Sequence, residues 1–300
     1  ESVNGMGTYV TADVDGPIHQ AIMVTDAKSA CTPLPEDMRD GKYVYSMFPP
    51  DNFNGGGFLA GDVDELRPSF IHHFADQSTH SVAVGQLGVL DVDQTDAFHL
   101  YEWTQVPVPI VASENVSLQN SFPLFSANAV FWSASSGPTD RVAVYTDSAG
   151  ASNLLSSGVD VSHGFDDFGA DGQNMIWLEG VGHDGGSIGF DTATYMTAPF
   201  ATTSGTVAPR RLRSAETSGF GVSPPVVGCG YAARENGVSL RIIRLSDGVS
   251  WVLPNVSGWR WLHPLAITCS EVFASVVTSS TTNNVARVTI ASLGAGIPPD

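Results

Sequence analysis

Lysine is almost missing from this chain. Only Lys28 and Lys42 occur in 300 residues, and all lysines and arginines together number 13 against 31 aspartates and glutamates. The resulting formal charge of -18 repels phosphate backbones and anionic lipid, which argues against nucleic acid or a membrane surface as a partner. Cysteine is scarce too: Cys31, Cys229 and Cys269 are too few for a disulfide framework and leave at least one thiol unpaired. Cys229 and Cys269 hold similar places in successive units of the chain, so they read either as a bridge or as two small buried thiols. No apolar run approaches the roughly 18 residues that span a bilayer. The chain opens at Glu1 with no signal peptide in view, as after processing or trimming. An acidic, lysine-poor chain rich in Ser, Thr and Gly is expected to be secreted or periplasmic.

Several chemical signatures are missing as well. No window carries a capped, 3.6-residue apolar period, which excludes a helical architecture. There is no Gly-x-Ser-x-Gly elbow and no His-Glu-x-x-His pair. Gly55-Gly56-Gly57 precedes a strand instead of a helix, so it lacks the helix N-terminus that lets a glycine loop grip phosphate.

What is present is repetition. A small residue followed by an aromatic recurs at Ser69-Phe70, Ser121-Phe122, Gly164-Phe165, Gly219-Phe220 and Gly258-Trp259. Each pair precedes a short apolar strand by roughly 10 to 14 residues, as in a chain built from one supersecondary unit. Apolar strands centred on Tyr9, Tyr45, Ala83, Trp132, Trp177, Tyr231 and Ala274 give a second register, in which six intervals cover 265 residues. Their mean near 44 residues is the size of one four-stranded propeller blade. Hydroxyl-aspartate pairs at Thr25-Asp26, Thr146-Asp147 and Ser246-Asp247 close strands into turns, where their short side chains bond the local backbone.

The chain thus resembles an all-β, seven-bladed β-propeller of the broad TolB-like and WD40-like type. Six blades with an insertion over residues 46–75 is the alternative count. The Trp-Asp and Gly-His signatures of true WD40 repeats are absent, and Ser246-Asp247-Gly248-Val249-Ser250-Trp251 departs from a sialidase Asp-box. The resemblance implies a single domain over residues 1–300, with residues 3–12 and 285–291 meeting in one blade.

A propeller gathers the loops leading into its innermost strands around one axial mouth, and the small-aromatic pairs mark those loops. The residues of those loops are the site candidates: His72 and His73; His163, Asp166 and Asp167; and Trp259, Arg260, Trp261 and His263. Imidazoles, carboxylates and a guanidinium facing one cavity suit a divalent metal, or acid-base chemistry on a sugar. The tryptophans suit stacking on a glycan. Asp91, Asp93 and Asp96 form the best oxygen-rich turn for calcium, although two carboxylates two residues apart supply only part of its six to eight ligands. Arg210-Arg211-Leu212-Arg213, the one basic run, is expected to be a solvated outer loop that offers an acidic partner a docking point. The expected function is a noncatalytic module that binds a protein or glycan at its axial face. The alternative is a metal-assisted carbohydrate lyase or hydrolase.

Overall fold

A computed structural model describes residues 8–12, 18–22, 32–39, 42–48, 57–62, 70–73, 81–92, 98–103, 107–111, 124–136, 139–156, 163–181, 192–215, 225–235, 239–254, 259–278 and 283–300. The chain divides into two compact units, Glu1–Glu114 and Asn115–Asp300.

In the first unit, β1 (Thr8–Ala12) and β2 (Ile18–Ile22) form a hairpin. A four-stranded meander follows: β3 (Thr32–Arg39), β4 (Lys42–Phe48), β5 (Gly57–Asp62) and β6 (Phe70–His73). The next is β7 (Ser81–Gly85), β8 (Gly88–Val92), β9 (Phe98–Glu102) and β10 (Pro107–Val111).

The second unit holds three more. They are β11 (Leu124–Ser126), β12 (Ala129–Ser136), β13 (Thr139–Thr146) and β14 (Gly150–Ser156); β15 (His163–Ala170), β16 (Asn174–Val181), β17 (Thr192–Pro199) and β18 (Arg210–Ala215); and β19 (Val226–Gly228), β20 (Tyr231–Glu235), β21 (Ser239–Arg244) and β22 (Ser250–Pro254). A three-stranded sheet closes the list: β23 (Trp259–Ile267), β24 (Glu271–Thr278) and β25 (Asn283–Thr289). Pairing is antiparallel throughout, and two single 3-10 turns are the only helical residues described.

Within each unit the first strand of one sheet packs on the first strand of the next: β3 on β7, β11 on β15, β15 on β19, and β19 on β23. Successive antiparallel meanders stacked through their first strands are the blades of a β-propeller. Complete four-stranded blades number five among the described residues, which corrects the expected seven and the alternative six. The region 46–75 is no insertion, because β5 and β6 inside it are ordinary blade strands. Among the described residues the last sheet has three strands, and Thr289 at its end leads into a 3-10 turn, Ile290–Ser292. Beyond it Pro298 and Pro299 have no N–H to give a ladder.

Burial explains why the second strands stand out in the sequence. Met175 and Trp177 of β16 pack toward Phe131, Val142 and Val144 of the preceding blade. Ile176 and Leu178, on the other face, pack toward Val227, Ala232 and Ile243 of the following one. A strand covered on both faces reads as a continuous apolar run, not an alternating one. The markers Tyr45, Trp132, Trp177, Tyr231 and Ala274 all fall on such second strands, whereas Ala83 falls on the first strand of its sheet.

Candidate functional site

The innermost strands of the second unit approach closely because glycine faces the neighbouring backbone. A Cβ on Gly169 of β15 would lie 2.7 Å from the Pro225 carbonyl oxygen, and one on Gly228 of β19 would lie 2.6 Å from that of Ile267 on β23. No side chain fits there. This brings β15, β19 and β23 together in turn.

Two of the three polar groups read from the sequence fall on these inner strands. His163 opens β15, with Asp166 and Asp167 inside it; Trp259 opens β23, with Arg260, Trp261 and His263 inside it. The pair Gly164-Phe165 and Trp259 of the last pair therefore lie on innermost strands, not in loops before them; Gly258 lies outside the described residues. Both strands slip register against their second strands: β15 between Asp166 and Gly169, β23 between Trp261 and Pro264. Asp167 and His263 stand at the same offset from the start of their strands, each inside the bulged stretch. A bulge leaves residues out of the ladder and re-aims them, and bulges concentrate beside functional sites.

Arg260 is exposed. Trp261 is not a stacking platform: it is 4% exposed, packs with Trp251, Ala233 and Val276, and donates its indole N–H to the Pro254 carbonyl at 3.2 Å. The side chains of His73, His163, Asp166, Asp167, Trp259 and His263 lie outside the described residues.

His72 and His73 belong to β6, the fourth strand of its sheet, so they do not share the inner position of the other two groups. The His72 ring sits 5.3 Å from Phe58 and 4.4 Å from Tyr101 between centroids, joining one blade to the next as a packing residue. Asp91 is 2% exposed within β8, opposite His99 in the ladder. Asp93 and Asp96 lie outside the described residues, among which no cluster of three or more metal-ligating side chains occurs.

The hydroxyl-aspartate pairs behave as turn caps. Thr146 accepts from the Ala149 N–H through both its carbonyl and its hydroxyl. Asp247 holds Arg244 through two hydrogen bonds of 2.9 and 2.6 Å, and the bond to Arg244 keeps its carboxyl below the ordinary aspartate range. Thr25 and Asp26 lie outside the described residues.

Of the two readings of Cys229 and Cys269 the bridge holds: they are bonded to each other and exposed, so they are not buried thiols. They join the turn after β19 to the turn after β23, the same turn in successive sheets. Two buried arginines escaped the sequence reading. Arg234 is buried on β20 and donates to the Tyr195 hydroxyl of the adjacent blade at 2.7 Å. Arg213, read as part of a loop, is instead buried on β18, where it shares the Ser250 hydroxyl with Arg241. A charged residue inside an apolar strand, such as Arg234 or Arg241, is the signal that could have revealed these contacts.

No known protein family matches the sequence, and no curated protein does. Solved structures do match. A prolyl endopeptidase, studied for inter-domain dynamics in catalysis and specificity, superposes with a TM-score of 0.60 at 10% identity, over 90% of this chain and 42% of that one. Prolyl oligopeptidase B from Galerina marginata gives 0.55 at 9%, over 91% and 44%. BamB from Moraxella catarrhalis gives 0.49 at 12%, over 96% and 86%. The chain spans less than half the length of the two prolyl peptidases. At such identities the likeness to the two prolyl peptidases shows the fold alone.

Proposed function

We propose that this chain is a noncatalytic binding propeller, secreted or periplasmic, that recognises a protein or glycan at its axial face. The observation that carries the reading is the shared bulge on β15 and β23, which takes Asp167 and His263 out of their ladders, with exposed Arg260 three residues before His263 on the same strand. Three polar residues on inner strands of one unit suit recognition without a fixed catalytic spacing. The Cys229–Cys269 disulfide supports an oxidising compartment, since cytosolic thiols are kept reduced. Among the described residues no helix is long and apolar enough to cross a membrane.

The test compares the native chain with Asp167→Asn/Arg260→Ala/His263→Gln on a glycan array and against extracellular proteins of the source. Arg287→Ala on β25 serves as a surface control, its side chain being 67% exposed. The expected result is a ligand whose affinity falls at least tenfold in the triple variant and stays unchanged in the control. Equal binding by all three sinks the axial reading. Turnover of a glycan that requires added divalent metal, and stops in the triple variant, selects the lyase or hydrolase instead.

A further inference from the structure

After Ile290–Ser292 the chain leaves its own sheet and crosses to the outer edges of the two preceding blades. Ser250 of β22 and Ile297 pair as a single antiparallel bridge, each N–H donating to the other's carbonyl, at 3.0 Å from Ser250 and 2.7 Å from Ile297. The Trp251 indole N–H donates to the Gly294 carbonyl at 3.2 Å, and Arg213 donates to that of Ile297 at 3.3 Å. Further along, Arg211 donates to the Asp300 carbonyl at 2.7 Å and to its carboxylate at 3.3 Å, while the Ser214 N–H donates to the same carboxylate at 2.9 Å. Residue 296 must be small: a Cβ there would lie 2.3 Å from a Val249 methyl and 2.8 Å from the Trp251 ring.

These contacts describe a reader of extended peptide. The β22 edge supplies backbone pairing, the Val249–Trp251 wall admits only glycine, and Arg211 with the Ser214 N–H of β18 takes a carboxylate four residues further on. The Ile297 side chain is 51% exposed, so the backbone is read there and the side chain is not. Strand addition at a sheet edge with a charged anchor is a general mode of peptide recognition. The occupying segment is exposed through Gly294–Ala295 and Pro298–Asp300. Segments of that kind detach at low free-energy cost.

We propose that the cleft between β18 and β22 is a peptide-acceptor site for an extended, carboxylate-bearing segment of a partner protein, and that Gly294–Asp300 fills it in cis. The site is lateral and does not depend on the axial reading. A second copy of this chain is a poor donor, because two bodies of charge -18 repel each other. The basic run of β18 is where an acidic segment meets attraction instead.

The probe is a fluorescein-labelled peptide, Gly-Ala-Gly-Ile-Pro-Pro-Asp, read by anisotropy against full-length protein. Gly296→Val evicts the tail and leaves the acceptor intact; Asp300→Asn is the milder second variant. Hydrogen exchange at the Ser250 amide reports whether the tail has left, and circular dichroism reports the fold. Gly296→Val is expected to bind the peptide at least tenfold more tightly than the native chain. That gain is expected to disappear with Arg211→Ala or with a peptide ending in Asn. A folded Gly296→Val protein with a fast-exchanging Ser250 amide and no peptide binding overturns the proposal. So does an amide that stays protected in both variants, because the cleft then fails to discriminate. A native dimer that grows with concentration and is abolished by Gly296→Val assigns the cleft to a second copy and overturns the partner version.

Discussion

The Cys229–Cys269 bond spans 40 residues of sequence and ties two neighbouring sheets at equivalent turns. In the chain-entropy account, closing a loop of that length removes roughly 3 to 4 kcal/mol of unfolded-state freedom. Cys229→Ser/Cys269→Ser is therefore expected to lower the stability of the second unit by about that amount in urea unfolding, and dithiothreitol is expected to reproduce the loss in the native chain only. Insensitivity of the native chain to reduction would show that the bond adds nothing. Tyr195 offers a smaller and independent case. Its hydroxyl accepts from Arg234, which is 4% exposed, and the guanidinium also lies 5.8 Å from the ring centroid. Tyr195→Phe keeps the ring and removes the acceptor, so a loss of about 1.5 to 3 kcal/mol is expected, the range for hydrogen bonds to charged groups. Buried Thr197, whose hydroxyl donates to the Met175 carbonyl at 2.7 Å, is a neutral comparison at about 1 kcal/mol for Thr197→Val.

Between elements, the spacing of inner strands rests on backbone meeting backbone. Gly228 of β19 faces the Ile267 carbonyl of β23, and a methyl group placed 2.6 Å from it cannot be absorbed by a side-chain rotation. Gly228→Ala is expected to cost about 1 to 3 kcal/mol as overpacking. Amide exchange should accelerate along β19 and β23 and not in β12 or β13, and uniform acceleration would show that the contact is not local. Such an approach is invisible to a reading based on apolar periodicity. Second strands such as Met175–Leu178 announced themselves because both faces are covered, and they gave the blade length. The inner strands differ among themselves, β19 being only Val226–Gly228 while β15 and β23 run eight and nine residues with Asp, His or Arg inside them, and so carried no common signal. Ser81–Gly85 was equally apolar but is a first strand, and that slip moved His72 and His73 to the axis in the sequence register when they belong to β6. Arg210–Arg213 was misplaced for the opposite reason: charge suggested a loop, whereas the turn between β21 and β22 and the tail supply the acceptors that let a strand carry it.

For the molecule as a whole, ion pairing and net charge make opposite demands. Lys42–Asp62, Arg211–Asp300, Arg244–Asp247 and Arg287–Glu271 all join partly exposed side chains. Such pairs are worth about 0 to 1 kcal/mol each and weaken with salt. Even if all 13 basic residues were paired, 31 less 13 leaves 18 carboxylates with no cationic partner, and their mutual repulsion is also screened by salt. The surplus outweighs the pairs, so added sodium chloride is expected to raise the melting temperature at pH 7, most steeply up to about 0.15 M, where the screening length is near 8 Å. A melting temperature that falls over this range would mean that the pairs dominate. Acid separates the two contributions further. Hydrogen bonding from Ser214, aided by Arg211, holds the Asp300 carboxyl well below the usual aspartate range, as Arg244 does for Asp247. A carboxyl depressed in the folded state contributes stability above its unfolded value of about 3.9, and loses it as pH falls through the folded one. Below about pH 4 the tail anchor should therefore fade even as the overall repulsion falls. Exchange at the Ser250 amide, which bonds Ile297, is expected to accelerate there ahead of the blade cores, after correction for the intrinsic pH dependence of exchange. If it accelerates only together with global unfolding, the tail is an integral part of the sheet edge.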